Sequence, residues 1–179
     1  GVYEMMRIRR YKNFDDLIKS PHESISLKEF SILNNSTRKS IEEAGKNYLE
    51  TRSEGKNSDL NEQKAYSKKQ SGEQLLLELG ISEKKPIVTV FCHAWYDFPH
   101  IYGMKNFSDF LDWINLTYKI ALENKSVTWI FKPHPTETWY GGFFLKDLIR
   151  EDSEHIFIVD EQTSVNTILD ITDSIVTVH

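Results

Sequence analysis

The chain has 179 residues, of which 39% are hydrophobic, 12% aromatic and 27% charged. That is enough bulky apolar material for one domain of ordinary size, or one and a fraction, and it excludes a disordered chain, a collagen-like chain and a disulfide-stapled miniprotein. Lys and Arg number 22 against 27 Asp and Glu, a formal charge of -5, so the chain has no general attraction for nucleic acid or anionic lipid.

Cys92 is the single cysteine; no internal disulfide can form, which fits a reducing cytoplasm. No apolar run approaches the roughly 20 residues that span a bilayer, and no segment has the order of a signal peptide.

Residues 1–72 are polar and read as a helical or irregular linker. They open with a basic cluster, Arg7, Arg9, Arg10 and Lys12, which reads as solvated surface or interdomain contact. Residues 34–55 predict a helix. Ser36 or Thr37 can cap it, Ile41, Ala44, Tyr48 and Leu49 fall on one face, and Gly55 can close it. Residues 59–72, rich in Lys, Gln and Ser, read as a weaker helix or a mobile connection.

Residues 73–179 read as one domain in which helix and strand alternate. A short apolar helix over 73–79 ends at Gly80. The run PIVTVFC over 86–92 is continuous and apolar, as a strand buried on both faces should be. A long aromatic loop, 93–105, leads to a helix over 106–124 that Asn106 or Ser108 can cap. Its core face is Phe107, Phe110, Leu111, Ile114, Tyr118 and Ala121. Then come a strand over 126–131, a helix over 142–150, a strand over 155–159, a short helix over 164–171 and a strand over 174–178. The expected fold is α/β: a Rossmann-like open parallel sheet with flanking helices and right-handed crossovers. The chain starts at Gly1 and stops on SIVTVH, which reads as an inner strand lacking its cover. The expectation is therefore a piece of a longer protein.

Ligands of such sheets bind at the carboxyl ends of the strands. After the second strand comes Lys132-Pro133-His134-Pro135-Thr136-Glu137. Two prolines fix the backbone on both sides of one histidine and remove two amide donors. A rigid imidazole beside a lysine suits a phosphate; the plainer alternative is a rigid turn whose histidine satisfies a backbone group. After the first strand, His93, Trp95, Tyr96, Asp97 and His100 share one loop. Trp95 or Tyr96 could stack on a base or sugar and Asp97 or His93 could make polar contacts, or the loop could simply fold over the sheet edge. Ser164 would cap the helix after the third strand, where a phosphate or ribose hydroxyl can also bind. HExxH, GxGxxG and GxxxxGK[ST] are absent, so no metal site is assigned, and dinucleotide and P-loop chemistry are disfavoured. Cys92, inside an apolar strand, reads as inert packing.

The segment IFKPHPTE over 130–137 resembles the KPHP segment of capsule and surface polysaccharide biosynthesis proteins, a group that includes Kdo transferases and, more distantly, CDP-glycerol glycerophosphotransferases. The loop FCHAWYDFPH over 91–100, the helix AGKNYLETRSEG over 44–55 and the ending DSIVTVH over 173–179 are similar to neighbouring parts of the same proteins. The resemblance implies a glycosyltransferase of GT-B fold, with residues 1–72 from the domain junction and 73–179 a donor-binding domain truncated at its C-terminus. It implies that His134 binds the donor phosphates, often of a cytidine nucleotide, with Lys132 adding charge and Ser164 near the nucleotide. Trp95, Tyr96 and Asp97 would form a substrate loop. The catalytic residue is unassigned, with Asp97 and His93 as candidates. No cofactor or metal is implied. The partners would be a nucleotide-sugar donor and a carbohydrate acceptor held by an absent N-terminal domain, in a cytoplasmic parent peripheral at the inner membrane face. Without that domain the chain alone would be inactive. A CDP-glycerol-type glycerophosphotransferase and a non-catalytic Rossmann-like binding domain are the alternatives.

Overall fold

The computed structural model describes residues 27–56, 60–95, 106–139, 144–149 and 153–178. The chain divides into two compact units, Gly1–Asn47 and Tyr48–His179. Helix α1 (Leu27–Ser31) lies in the first, and α2 (Asn35–Ser53) begins there. The cap of α2 is Asn34, whose Oδ1 accepts from the Thr37 amide at 2.9 Å, rather than Ser36 or Thr37. Gly55 closes α2 as expected: at φ +68° it lets its own amide reach the Arg52 carbonyl and the Lys56 amide reach Thr51. No residue of α2 is buried, so the face marked by Ile41, Tyr48 and Leu49 is exposed.

The second unit holds α3 (Leu60–Ala65), α4 (Gly72–Glu78), β1 (Ile87–Phe91), α5 (Phe110–Glu123), β2 (Thr128–Lys132), a 3-10 turn (Glu137–Trp139), α6 (Leu145–Leu148), β3 (Ile156–Ile158), α7 (Val165–Leu169) and β4 (Ser174–Val176). The strands form a four-stranded sheet in the order β3-β2-β1-β4. All three pairings are parallel, with Val90 beside Phe131 and Val176, and Phe131 beside Ile158. The α/β class and parallel sheet expected from the apolar runs are thus present.

Alternation along the strands builds two cores, one on each face of the sheet. Val90, Cys92, Trp129, Phe131 and Ile156 pack with Trp113, Ile114 and Ala121 of α5 and with Leu145 and Ile149. Ile87, Ile130 and Val159 pack with Leu75 of α4 and Ile168 of α7. Burial on both faces is why β1 and β2 read as unbroken apolar runs. Helix α5 starts later than expected. Its cap is Asp109, which accepts from the Asp112 amide at 2.8 Å. Its buried face is Phe110, Trp113, Ile114, Thr117 and Ala121, and Leu111 is exposed. Thr117 tolerates burial because its hydroxyl donates to the Trp113 carbonyl at 2.9 Å.

Within 59–72, the expected weaker helix is α3. Two other expectations change. Residues 66–71 are a strap rather than a mobile connection. Lys68 donates its amide to Gln162 O and accepts from the Ser164 amide, both at 2.9 Å, and the Thr167 hydroxyl donates to Gln70 O. Ser71 and Gln74 then cap α4 reciprocally. Strand β4 is not buried. Ser174 and Ile175 are exposed, because among the described residues it pairs on one side only, with β1. No helix of the described residues is long and apolar enough to cross a membrane.

Candidate functional site

The strand order reverses beside β1: β2 and β3 lie on one side of it and β4 on the other. In open parallel sheets such a reversal opens a crevice at the carboxyl ends of the strands. The loops that leave β1 and β2 are neighbours there, since Phe91 is paired with Lys132 and the Cys92 amide donates to Lys132 O at 3.0 Å.

This pairing brings together two histidines that lie far apart in sequence. The His93 and His134 rings are nearly parallel, with centroids 6.2 Å apart and planes 17° apart. His93 also stacks on Phe110, the first residue of α5, at 4.2 Å and 7°. Its Nδ1 lies 3.4 Å from Ala94 O, a long contact in which the carbonyl can only accept. On the other ring, His134 Nδ1 accepts the Thr136 amide at 3.3 Å and lies 2.7 Å from the Thr136 hydroxyl. Thr136 is buried. The imidazole is therefore fixed from three sides: by Pro133, by Pro135 and by the two polar groups of Thr136.

Glu137, which in the sequence only ends the KPHPTE segment, is central to the geometry of the turn. Its amide donates to His134 O at 3.0 Å. Its Oε1 accepts from the Trp95 indole at 3.1 Å and from the Leu145 amide at 2.7 Å. One carboxylate thus ties the histidine turn to the loop after β1 and to the start of α6. Burial pushes this carboxyl above the usual carboxylate range, opposed by its two hydrogen bonds. Trp95, expected in a substrate loop, packs partly against the α5 core with its N–H on Glu137. Tyr96, Asp97 and His100 lie outside the described residues.

Lys132 is 3% exposed. It shares the Thr128 and Ile130 face of β2, opposite Phe131. Its Nζ donates to Asp160 O at 3.4 Å and to Glu161 O. Burial lowers its pKa to about 8, against the opposing pull of the Asp160 and Glu161 carboxylates. Beside it, Lys64 pairs with Glu161 at 2.5 Å and donates to the Thr138 hydroxyl at 2.9 Å. Lys132 thus anchors the loop after β3 to the end of β2. Ser164 sits at the N-cap position of α7 but makes no side-chain cap bond. It is 1% exposed, and its amide is taken by Lys68 O. Next to it, the buried Thr163 hydroxyl has no hydrogen-bond partner among the described residues. Lys132 and Ser164 therefore contact the loop after β3 and the strap, while His134 contacts Thr136 and His93.

Cys92 is buried, and burial, reinforced by Glu137, pushes its thiol far above the ordinary value; it is packing rather than a nucleophile. Among the described residues no three His, Cys, Asp or Glu side chains converge as a metal site. Two hollows lined by described residues lie away from these histidines. One is an open groove beside Leu49, Arg52 and Tyr66, and the other lies at the amino edge of the sheet beside Lys85, Thr128 and Glu154.

Compared with known proteins, the chain matches no family model, no curated protein and no solved structure.

Proposed function

We propose that the chain is the donor-binding part of a transferase that takes a sugar from a nucleotide, with a cytidine nucleotide favoured, in the cytoplasmic assembly of a surface polysaccharide. On this reading the parallel sheet is the Rossmann-like half of a GT-B enzyme, and the acceptor is held by a further domain. The observation that supports it best is His134. It leaves the carboxyl end of an inner parallel strand between two prolines, its ring fixed by Thr136 and beside a second imidazole.

The chemistry follows from charge. When the bond between sugar and nucleotide breaks, negative charge grows on the leaving phosphate. An N–H donor already aimed at that oxygen gains more in the transition state than in the ground state, and it needs no reorganisation. Lys132 contributes through its field, since its ammonium is engaged by carbonyls.

The test is a binding titration of the chain with CMP, CDP, UDP and GDP, repeated on His134→Ala. A lost hydrogen bond to a charged group weakens binding by roughly ten- to a hundredfold. A cytidine preference that falls by that factor in the variant supports the proposal. Equal affinity in the folded variant, or no binding by the folded chain, refutes it.

A further inference from the structure

We infer that Thr136 is a positioning residue that holds His134 in one tautomer, with the proton on Nε2. The site built on it is then for an oxyanion such as a phosphate oxygen. The inference deepens the donor-binding reading and rests on it for the identity of the ligand; the tautomer itself does not.

The geometry is specific. A backbone amide can only donate, and the Thr136 N–H is directed at His134 Nδ1 at 3.3 Å. Nδ1 must then present its lone pair. The Thr136 hydroxyl, 2.7 Å from the same atom, serves that lone pair as a second donor. A proton on Nδ1 would confront the amide hydrogen and deprive a buried N–H of its acceptor, which is costly. Thr136 is 4% exposed, so water offers little substitute. The neutral ring therefore carries its hydrogen on Nε2.

Two consequences follow. An Nε2–H donates to an anionic oxygen with no change of protonation, which is the preorganisation that transition-state stabilisation needs. The same nitrogen has no lone pair to give a metal ion, since a ligating histidine usually donates from its other nitrogen to an outer partner. Here the other nitrogen accepts. Pro135 sets the span between ring and amide, and the KPHPT run reads as one device in which Thr136 completes what the prolines begin.

The test reads the tautomer directly. Long-range proton–nitrogen correlation spectra are recorded on the histidine-labelled chain without ligand, at about pH 8, where an ordinary histidine is neutral. His134 is assigned by the loss of its signals in His134→Gln. A lone-pair-type Nδ1 and a protonated-type Nε2 are expected; the reverse pattern, or full averaging, overturns the inference. Thr136→Val should shift His134 toward averaging and Thr136→Ser should restore the single tautomer. An unchanged spectrum in a folded Thr136→Val chain overturns the role given to the Thr136 hydroxyl and leaves the lock to the backbone amide, which valine retains. If that variant does not fold, the spectrum of the unmodified chain decides. Addition of CDP should then move the His134 Nε2 signal, with affinity about three- to tenfold weaker in Thr136→Val, the worth of one hydrogen bond. A locked tautomer that CDP leaves unmoved sustains the lock and refutes the donor reading.

Discussion

Replacing Lys132 with Met should make the protein's stability respond differently to alkali, and the size of the effect follows from where the ammonium sits. Met preserves most of the buried stem and removes the charge. In the folded chain, burial lowers the Lys132 pKa from 10.5 to about 8. Between those values the unfolded state holds a proton that the native state has released, so stability rises with pH across this window. Below about 8 both states are protonated, and the native state bears the full cost of a buried ammonium. The difference of about 2.5 units, at about 1.4 kcal/mol each, is roughly 3 kcal/mol, of which about 2 to 3 kcal/mol is relieved between about pH 7 and pH 10. The groups acting on Lys132 are Asp160, Glu161, Cys92 and Lys64. Urea unfolding of both proteins across that range measures the difference in stability, in which titrations common to both cancel. The lost bonds to Asp160 O and Glu161 O lower Lys132→Met by an amount that does not depend on pH. The parent should therefore gain about 2 to 3 kcal/mol on the variant as pH rises. A flat difference, or one that falls, would show that the ammonium is solvated and that the anchoring of the loop after β3 is misread.

Other perturbations separate the remaining parts of the site. Glu137→Ala should cost about 1 to 3 kcal/mol in urea unfolding, because the Trp95 indole and the Leu145 amide lose their acceptor, whereas Glu137→Gln keeps a carbonyl oxygen and should cost under about 1 kcal/mol; equal costs would refute the clamp. Gly72→Ala should destabilise by about 1 to 3 kcal/mol despite the better helix propensity of alanine, since the added Cβ would lie 2.4 Å from Ile171 Cγ2; a stabilised variant would mean that Ile171 yields freely. Cys92 should resist a disulfide reagent at about pH 8 until the chain is unfolded, as a buried thiol of raised pKa must, and rapid labelling of the native chain would contradict its burial.

Much of the fold was legible because burial on both faces leaves a mark. PIVTVFC and SVTWIF are apolar and β-branched, as inner strands are, and Gly55 and Gly80, both at positive φ, stand where helices end; the similar run SIVTVH is an exposed strand paired on one side among the described residues. The caps were less legible. Asn34 and Asp109 stand near Ser, Thr and Asn residues of equal capping chemistry, so residue type alone does not choose among them. For α5 the first buried residue, Phe110, decides among them; α2 buries none, and there the side-chain bond from Asn34 to the Thr37 amide decides. Leu111 looks like a core residue of α5 because apolarity does not reveal which stripe is buried; Trp113 and Thr117 are buried instead.

The candidate site divides in the same way. The double proline around His134 is a local constraint, since φ restriction acts within two residues, and it can be read from sequence alone. The amide of Thr136 on Nδ1 is also local, yet it depends on a turn geometry that spacing does not specify. The remaining arrangement is non-local. His93 meets His134 only because β1 and β2 pair in a register that places Phe91 beside Lys132. Lys132 is drawn onto the carbonyls of Asp160 and Glu161 because the residue after Phe131 must point to the opposite face of the sheet. Glu137 clamps Trp95 to Leu145 across two loops. Sequence determined the apolar strands, the parallel class and the rigid histidine, because each rests on neighbours in the chain. Tertiary structure decided which charges became anchors and which imidazoles became neighbours, because those outcomes depend on strand order and register, which local composition does not encode.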